Sequence, residues 1–335
     1  MDRRAIIGIM KSNYINRGVK LKIIITGGAG FIGSHLARKL MLENHEVHII
    51  DCLHPYYSIE RKRKQLSTID GLSIEQFARL DLLNREETIS LFQSISPDAV
   101  IHLAALPGVA YSIERPLEYV DYDIKATINV LEACGQSNAR QLIFASSSSV
   151  YGNQTGPLQE EMATGNVISP YAASKYSAES FCHVYRQLYG FETKILRFFT
   201  VYGPWVRPDM AIGIFLKKLL KNQEITLFGG DRVRDFTYID DIVEGIYLSL
   251  KPLHRSEVMN IGSGRPISML SLLNELRQYF PEMKIRREES RTGDVVQTWA
   301  NIRKAQDLLG YTPKVSFEQG IEETVKWAKE NEAFL

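Results

Sequence analysis

"KIIITGGAGFIG", Lys22–Gly33, is the stretch on which the reading of this chain turns. "KIIIT" is short, apolar and β-branched, the composition of a strand buried on both faces of a parallel sheet. Gly27, Gly30 and Gly33 follow at G-x-x-G-x-x-G spacing, and "SHLARKLMLENH" then carries apolar residues at helical intervals. A strand, a glycine turn and a helix in that order let backbone approach a pyrophosphate, with the helix N-terminal N–H groups aimed at it. A glycine turn that binds nothing has the same local pattern, so the residues beyond it decide.

"EVHIID" is the next strand, and Asp51 ends it 18 residues after Gly33. An acid there accepts hydrogen bonds from an adenosine ribose and repels a 2′-phosphate, which favours NAD over NADP. The expected cofactor contacts are Gly27, Gly30, Phe31, Ile32, Gly33 and Asp51. Asp81 and Leu82 in "ARLDLLN", and Ala104 and Ala105 in "HLAA", close later strands and are expected along the adenine and ribose path.

Further out, strand and helix patterns alternate as far as Gly203: "DAVIHLAA", a long helix "PLEYVDYDIKATINVLEACGQS", "RQLIFASS", a second long helix "SPYAASKYSAESFCHVYRQLYG", then "ETKILRFFTVYG". Such alternation predicts an α/β fold, a Rossmann-like doubly wound parallel sheet. Beyond Gly203 a Pro-rich loop and shorter elements predict a smaller, mixed α/β C-terminal substrate lobe. Residues 21–203 with about 236–258 are assigned to the NAD-binding lobe. Residues about 204–235 with 259–335 are assigned to the substrate lobe, and 1–20 to an N-terminal extension. That extension has only a short apolar patch, "AIIGIM", with no small-residue cleavage site after it.

Composition excludes several classes. The 335 residues are 44% hydrophobic and 24% charged, an ordinary globular balance. A formal net charge of +1 gives no electrostatic case for nucleic acid or an acidic membrane surface. Cys52, Cys134 and Cys182 are widely spaced and read as free thiols of a cytoplasmic protein. The histidines form no H-x-x-x-H pair, so no metal site is expected. No apolar run approaches the roughly 20 residues of a membrane span.

"SPYAASK" sets Tyr171 and Lys175 four apart, on one face of a helix start. Such pairs also occur as two surface side chains, but their chemistry is suggestive. A phenol is a poor base at neutral pH, and a neighbouring cation favours its phenolate. The serine run before "VYG" offers a hydroxyl to bridge that phenol and a substrate hydroxyl.

"TGGAGFIGSHL", "HLAA", "ASSSSVYG", "SPYAASK", "RFFTVYGP" and "RDFTYIDDIVEGI" together resemble the extended short-chain dehydrogenase/reductase family. Within it they are most similar to the NAD-dependent nucleotide-sugar epimerases, above all the UDP-glucuronate 4-epimerases. The resemblance runs from Lys22 to the C-terminus. It implies bound NAD, a UDP-sugar substrate, a transient 4-keto sugar, and a homodimer built on two long helices per chain, here around Val120–Cys134 and Tyr171–Tyr189. By motif position, Ser147, Tyr171 and Lys175 correspond to the family's catalytic residues. Arg234 and Arg291 are implied phosphate ligands, Asp294 a uridine-ribose ligand and Phe228 a uracil neighbour. Ser112, Ser148, Ser149, Thr200 and Arg207 are implied near the sugar.

Two positions depart from the pattern. Asp123 stands in "VDYDIKAT" where the family usually has Asn, and Ala110 in "GVAYS" where glucuronate epimerases often have Arg. The second weakens the case for a uronate. A UDP-glucose or UDP-N-acetylglucosamine 4-epimerase would use the same machinery. A dehydratase would need an acid–base pair before "VYG", where this chain has Ser148 and Ser149. A silent NAD-binding scaffold is the reading from a different class, and the intact Ser147, Tyr171 and Lys175 argue against it.

Overall fold

The computed structural model describes residues 19–253, 255–289, 295 and 297–335. Strands β1 (Lys22–Thr26), β2 (Glu46–Ile50), β3 (Phe77–Ala78), β4 (Ala99–His102), β5 (Gln141–Ser147), β6 (Pro157–Leu158), β7 (Glu192–Phe198), β8 (Thr200–Tyr202), β9 (Ile225–Phe228), β10 (Val233–Tyr238), β11 (Glu257–Ile261), β12 (Pro266–Ser268), β13 (Ile285–Glu288) and β14 (Gln297–Ala300) build three sheets. The large sheet has seven parallel strands in the order β11-β7-β5-β4-β1-β2-β3. The chain leaves β1 toward one edge, then returns to β4 on its other side. A crevice opens beyond the carboxyl ends of β1 and β4 at that reversal.

Helices α1 (Phe31–Leu42), α2 (Ile59–Ser67), α3 (Arg85–Ile95), α4 (Val109–Glu114), α5 (Pro116–Tyr119), α6 (Ala126–Gln136) and α7 (Pro170–Tyr189) lie between the first strands. The apolar run of β1 is explained by burial on both faces. Ile23 and Ile25 join one core cluster with Leu36 and Leu40 of α1, while Ile24 joins another with Phe92, Val130 and Leu131. All three isoleucines are fully buried.

Local chemistry sets the helix ends. Ser169 caps α7 by accepting the Ala172 N–H at 3.1 Å, Pro170 occupies the first turn, and Gly190 at φ +81° closes it. The other long helix is not uniform. Between α5 and α6, residues Val120–Lys125 form a π-helical turn that carries Asp123 inward. Helical periodicity in the sequence predicts one continuous helix there, because a single widened turn barely disturbs the spacing of apolar residues.

The second sheet joins β12, β10, β14 and β6, with β8 pairing β10. Asp235 is its hub. Oδ1 accepts from Ser263 N, Ser263 Oγ and Thr237 Oγ1, and Oδ2 from Gly264 N and Ala300 N, all within 2.6–3.0 Å. A buried carboxylate is tolerated when its lone pairs are filled this way. Helices α8 (Ala211–Leu220), α9 (Ile239–Ser249), α10 (Met269–Tyr279), α11 (Arg303–Leu309) and α12 (Phe317–Glu330) complete the chain. Among the described residues no helix is long and apolar enough to cross a membrane.

Candidate active site

The crevice is lined by the glycine turn, by the ends of β2, β4 and β5, and by the first turns of α7. Its empty volume is about 1340 Å³, part of it open to solvent.

The turn is built for close approach. Gly27 has φ +72°, and a Cβ on it would stand 2.7 Å from the Ala104 nitrogen. A Cβ on Gly33 would overlap the Gly27 carbonyl oxygen and the Gly28 Cα. Only glycine lets the helix start pack so near the strand. Asp51 accepts the Ala29 N–H at 3.1 Å through Oδ2 and the Leu53 N–H at 2.8 Å through Oδ1. Its carboxylate is therefore oriented by the turn it faces. Asp81 accepts from Leu83 N at 3.0 Å and lies near the Tyr122 hydroxyl.

Gly27, Gly30, Phe31, Ile32, Gly33, Asp51, Asp81, Leu82, Ala104, Ala105, Ser147, Tyr171, Lys175 and Arg207 all line this one cleft. The glycine cradle, the acid at the end of β2 and the adjacent apolar walls fit an extended NAD. Cys52, His54, Tyr56, Tyr57 and Lys62 share the lining, and none of them is among the site residues expected from the sequence. Their aromatic cluster, in "DCLHPYYS" directly after Asp51, was the available signal.

The opening turns of α7 bring the reactive groups together. Lys175 is 5% exposed, and its ammonium donates to the Ala145 carbonyl at 3.1 Å. The Tyr171 ring meets Tyr119 edge to face at 6.0 Å. Beneath them, burial and then the Lys175 charge pull His102 down to about 3, so its imidazole is neutral. The serine run divides its work. Ser146 Oγ donates to Glu179 at 2.5 Å, and Glu179 holds Arg197 in a two-point ion pair. Ser147 Oγ accepts the Ser149 N–H and lies 3.2 Å from Ser149 Oγ.

Several expected sugar or uridine contacts lie outside the lining of the cleft. Ser112 is fully buried and donates to the Val109 carbonyl within its own helix. Ser148 and Ser149 sit in the short turn after β5. Thr200 opens β8 against Phe236, and Phe228 ends β9. Arg234 lies on β10, with Nη1 donating to the Val233 carbonyl. Arg291 and Asp294 lie outside the described residues. Ala110 is exposed on α4.

The profile of the NAD dependent epimerase/dehydratase family matches residues 23–262. The chain is 40% identical over 312 residues to a UDP-glucuronate 4-epimerase of Thermodesulfobacterium geofontis, covering 92% of this chain and 96% of that one. Its fold is similar to the crystal structure of a UDP-glucuronic acid 4-epimerase from Bacillus cereus in complex with UDP-glucuronic acid and NAD. That likeness has a TM-score of 0.86 and 38% identity, and covers 92% and 99% of the two chains. A UDP-glucose 4-epimerase from Thermotoga maritima, solved with UDP-glucose, is similar at TM-score 0.83 and 30% identity, covering 93% and 100%.

Proposed function

The chain belongs to the NAD dependent epimerase/dehydratase family, and from that premise we propose that it inverts C4 of UDP-glucuronate to give UDP-galacturonate. The observation that carries this reading is the convergence of Ser147, Tyr171 and Lys175 on the cleft that also holds the glycine turn and Asp51. Bound NAD supplies the hydride acceptor and donor, so the chain's own side chains need only bind, orient and move a proton.

The Tyr171 phenolate takes the proton of the C4 hydroxyl, and Ser147 bridges that hydroxyl and the phenol. Lys175 keeps a positive charge beside the phenolate. Ser148 and Ser149, in place of carboxylates, leave the 4-keto sugar without an acid to drive elimination, so the hydride returns and C4 is inverted. Arg234, Arg291, Asp294 and Phe228 are assigned to the UDP end, where an arginine fork suits a diphosphate. Thr200 and Arg207 are assigned to the sugar end, and the buried Ser112, whose hydroxyl donates to the Val109 carbonyl, is withdrawn from it. A firm hold on UDP with a looser hold on the sugar permits the sugar to present its other face.

A neutral UDP-sugar is the second reading, favoured by one observation: the guanidinium of Arg207 is already paired with the carboxylate of Asp209. Side-by-side assays of C4 inversion with UDP-glucuronate, UDP-glucose and UDP-N-acetylglucosamine separate the two. Absence of inversion with all three would overturn both.

The dimer is assigned to the two long helices. Leu117 and Val120 on one, and Val184 and Leu188 on the other, are 77%, 49%, 50% and 68% exposed. Apolar side chains this exposed on adjacent long helices support a shared helical interface between two copies. Cys52, Cys134 and Cys182 are unpaired, which supports a cytoplasmic setting.

A further inference from the structure

Asp123 stands where relatives of this kind usually carry Asn, and its surroundings define what an acid does there. It is 1% exposed, on the π-helical turn between α5 and α6. Widened turns of this sort are frequent at functional sites. Oδ1 accepts the Leu106 N–H at 2.7 Å, so that oxygen is an acceptor. Oδ2 lies 2.8 Å from Ser174 Oγ, which in turn lies 2.9 Å from the Tyr171 carbonyl oxygen.

Three oxygens thus stand in a row, and the middle one is a hydroxyl with a single proton. The Tyr171 carbonyl has no proton to give. If Ser174 donates to Oδ2, its contact with the carbonyl has no proton of its own. If it donates to the carbonyl, Oδ2 must supply the second proton. Each contact has a proton of its own only in the second case; in the first, one hydroxyl proton is shared between two acceptors.

We propose that Asp123 is a positioning residue held as the neutral carboxylic acid, Oδ2–H donating to Ser174 and Ser174 donating to the Tyr171 carbonyl. The relay ties the π-turn to the first turn of α7, where Tyr171 and Lys175 sit. A neutral acid also leaves the charge of Lys175 whole, where a carboxylate would oppose its support of the Tyr171 phenolate. An amide in this place would do the same, with C=O toward Leu106 and NH₂ toward Ser174.

The other groups around Asp123 agree. Burial pushes its carboxyl up, against the opposing pull of Lys175 and of the Leu106 and Ser174 contacts. On α7 it faces Ser174, Tyr171 and the Lys175 cation, and on α5 the Tyr119 phenol, itself raised chiefly by burial. Toward β4, its main-chain carbonyl accepts from Thr127 Oγ1 at 2.5 Å, and Thr127 leads to the neutral His102. Lys175 is the one cation among these groups.

The functional consequence rests on the proposed hydride chemistry, but the protonation state does not, and the test keeps them apart. An infrared difference spectrum of wild type minus Asp123→Asn, both with NAD and no sugar, reads the proton directly. The C=O stretch of a protonated carboxyl, sensitive to ²H₂O and lost in the variant, is the expected result. A difference spectrum holding only carboxylate bands would overturn the proposal even if the enzyme epimerises normally. In turnover, Asp123→Asn is expected to keep kcat within about threefold of wild type. Asp123→Leu, with folding checked by its melting curve, is expected to lose roughly tenfold or more in kcat. Equal losses in the two variants would also overturn it.

Discussion

Arg207 and Asp209 form a two-point ion pair at the edge of the cleft, with Nε 3.0 Å from Oδ1 and Nη2 2.9 Å from Oδ2. The Tyr56 hydroxyl donates to the same Oδ2 at 3.1 Å, which ties the loop after β8 to the loop after β2. A substrate anion therefore meets a guanidinium whose best edge is already matched by a carboxylate. Asp209→Asn removes that competing charge. The ratio of kcat/KM for UDP-glucuronate over UDP-glucose is expected to rise by roughly tenfold, the scale of one charge-assisted hydrogen bond. An unchanged ratio would show that Arg207 does not meet the sugar's C6 group.

Tyr171→Phe removes only a hydroxyl from a ring packed edge to face on Tyr119. Bound NAD and melting temperature are expected to stay near wild type, because the ring contact and the capped start of α7 are untouched. Turnover is expected to fall by about 10²–10⁴-fold, the usual worth of a positioned proton acceptor. Steady-state kinetics on the purified holoprotein check both halves, and near-normal turnover would remove Tyr171 from the chemistry.

Most of the large sheet was legible because its rules are local. A β-branched run, a glycine turn and an acid at the next strand end occur within thirty residues of one another, and each reflects its own backbone requirement. The four-residue spacing of Tyr171 and Lys175 is legible for the same reason. Polar pairings between distant segments have no period to read. Arg197, in the apolar run "KILRFF", and Asp235, in "VRDFTY", are charges within buried strands. Such a charge must find partners, but which ones depends on the completed fold. Phe77–Ala78 is too short to show alternation, and the π-turn at Asp123 is invisible to a pattern count.

Gly33→Ala tests the cradle. Its added methyl meets the Gly27 carbonyl oxygen and the Gly28 Cα, both backbone, so neither can swing aside. Overpacking of this kind costs about 1–3 kcal/mol. Shifting the start of α1 to relieve it moves the N–H groups meant for the pyrophosphate. The variant is expected to melt lower and to purify without NAD, read as loss of bound-cofactor absorbance. Full NAD occupancy would place the dinucleotide elsewhere.

Leu117→Glu and Leu188→Glu test the helical interface. Each puts a charge on a side chain that is 77% or 68% exposed, so the isolated fold is expected to tolerate either change within about 0.5 kcal/mol. A charge buried at an interface is costly, and light scattering is expected to show a monomer in place of a dimer. A variant that stays dimeric would move the interface to another face.

Acid is expected to unfold the protein through two buried histidines. Burial, and then the Lys175 charge, hold His102 at about 3, and burial in α1 holds His35 at about 4. The hydrogen bonds also assign the His102 tautomer. Thr127 Oγ1 spends its proton on the Asp123 carbonyl, so His102 Nε2–H donates to Thr127 at 3.0 Å and Nδ1 accepts from Thr26 at 2.6 Å. Both folded values lie below the ordinary 6.5, so the unfolded chain binds more protons between that value and the folded one. Stability is therefore whole above pH 6.5 and falls as the pH drops toward 3–4. By pH 5 each histidine removes roughly 2 kcal/mol. Urea unfolding from pH 7 to 5 reads the slope, and a replacement of His102 that cannot titrate should flatten about half of it. Equal stability at the two ends of that range would mean that neither ring is held neutral by its burial.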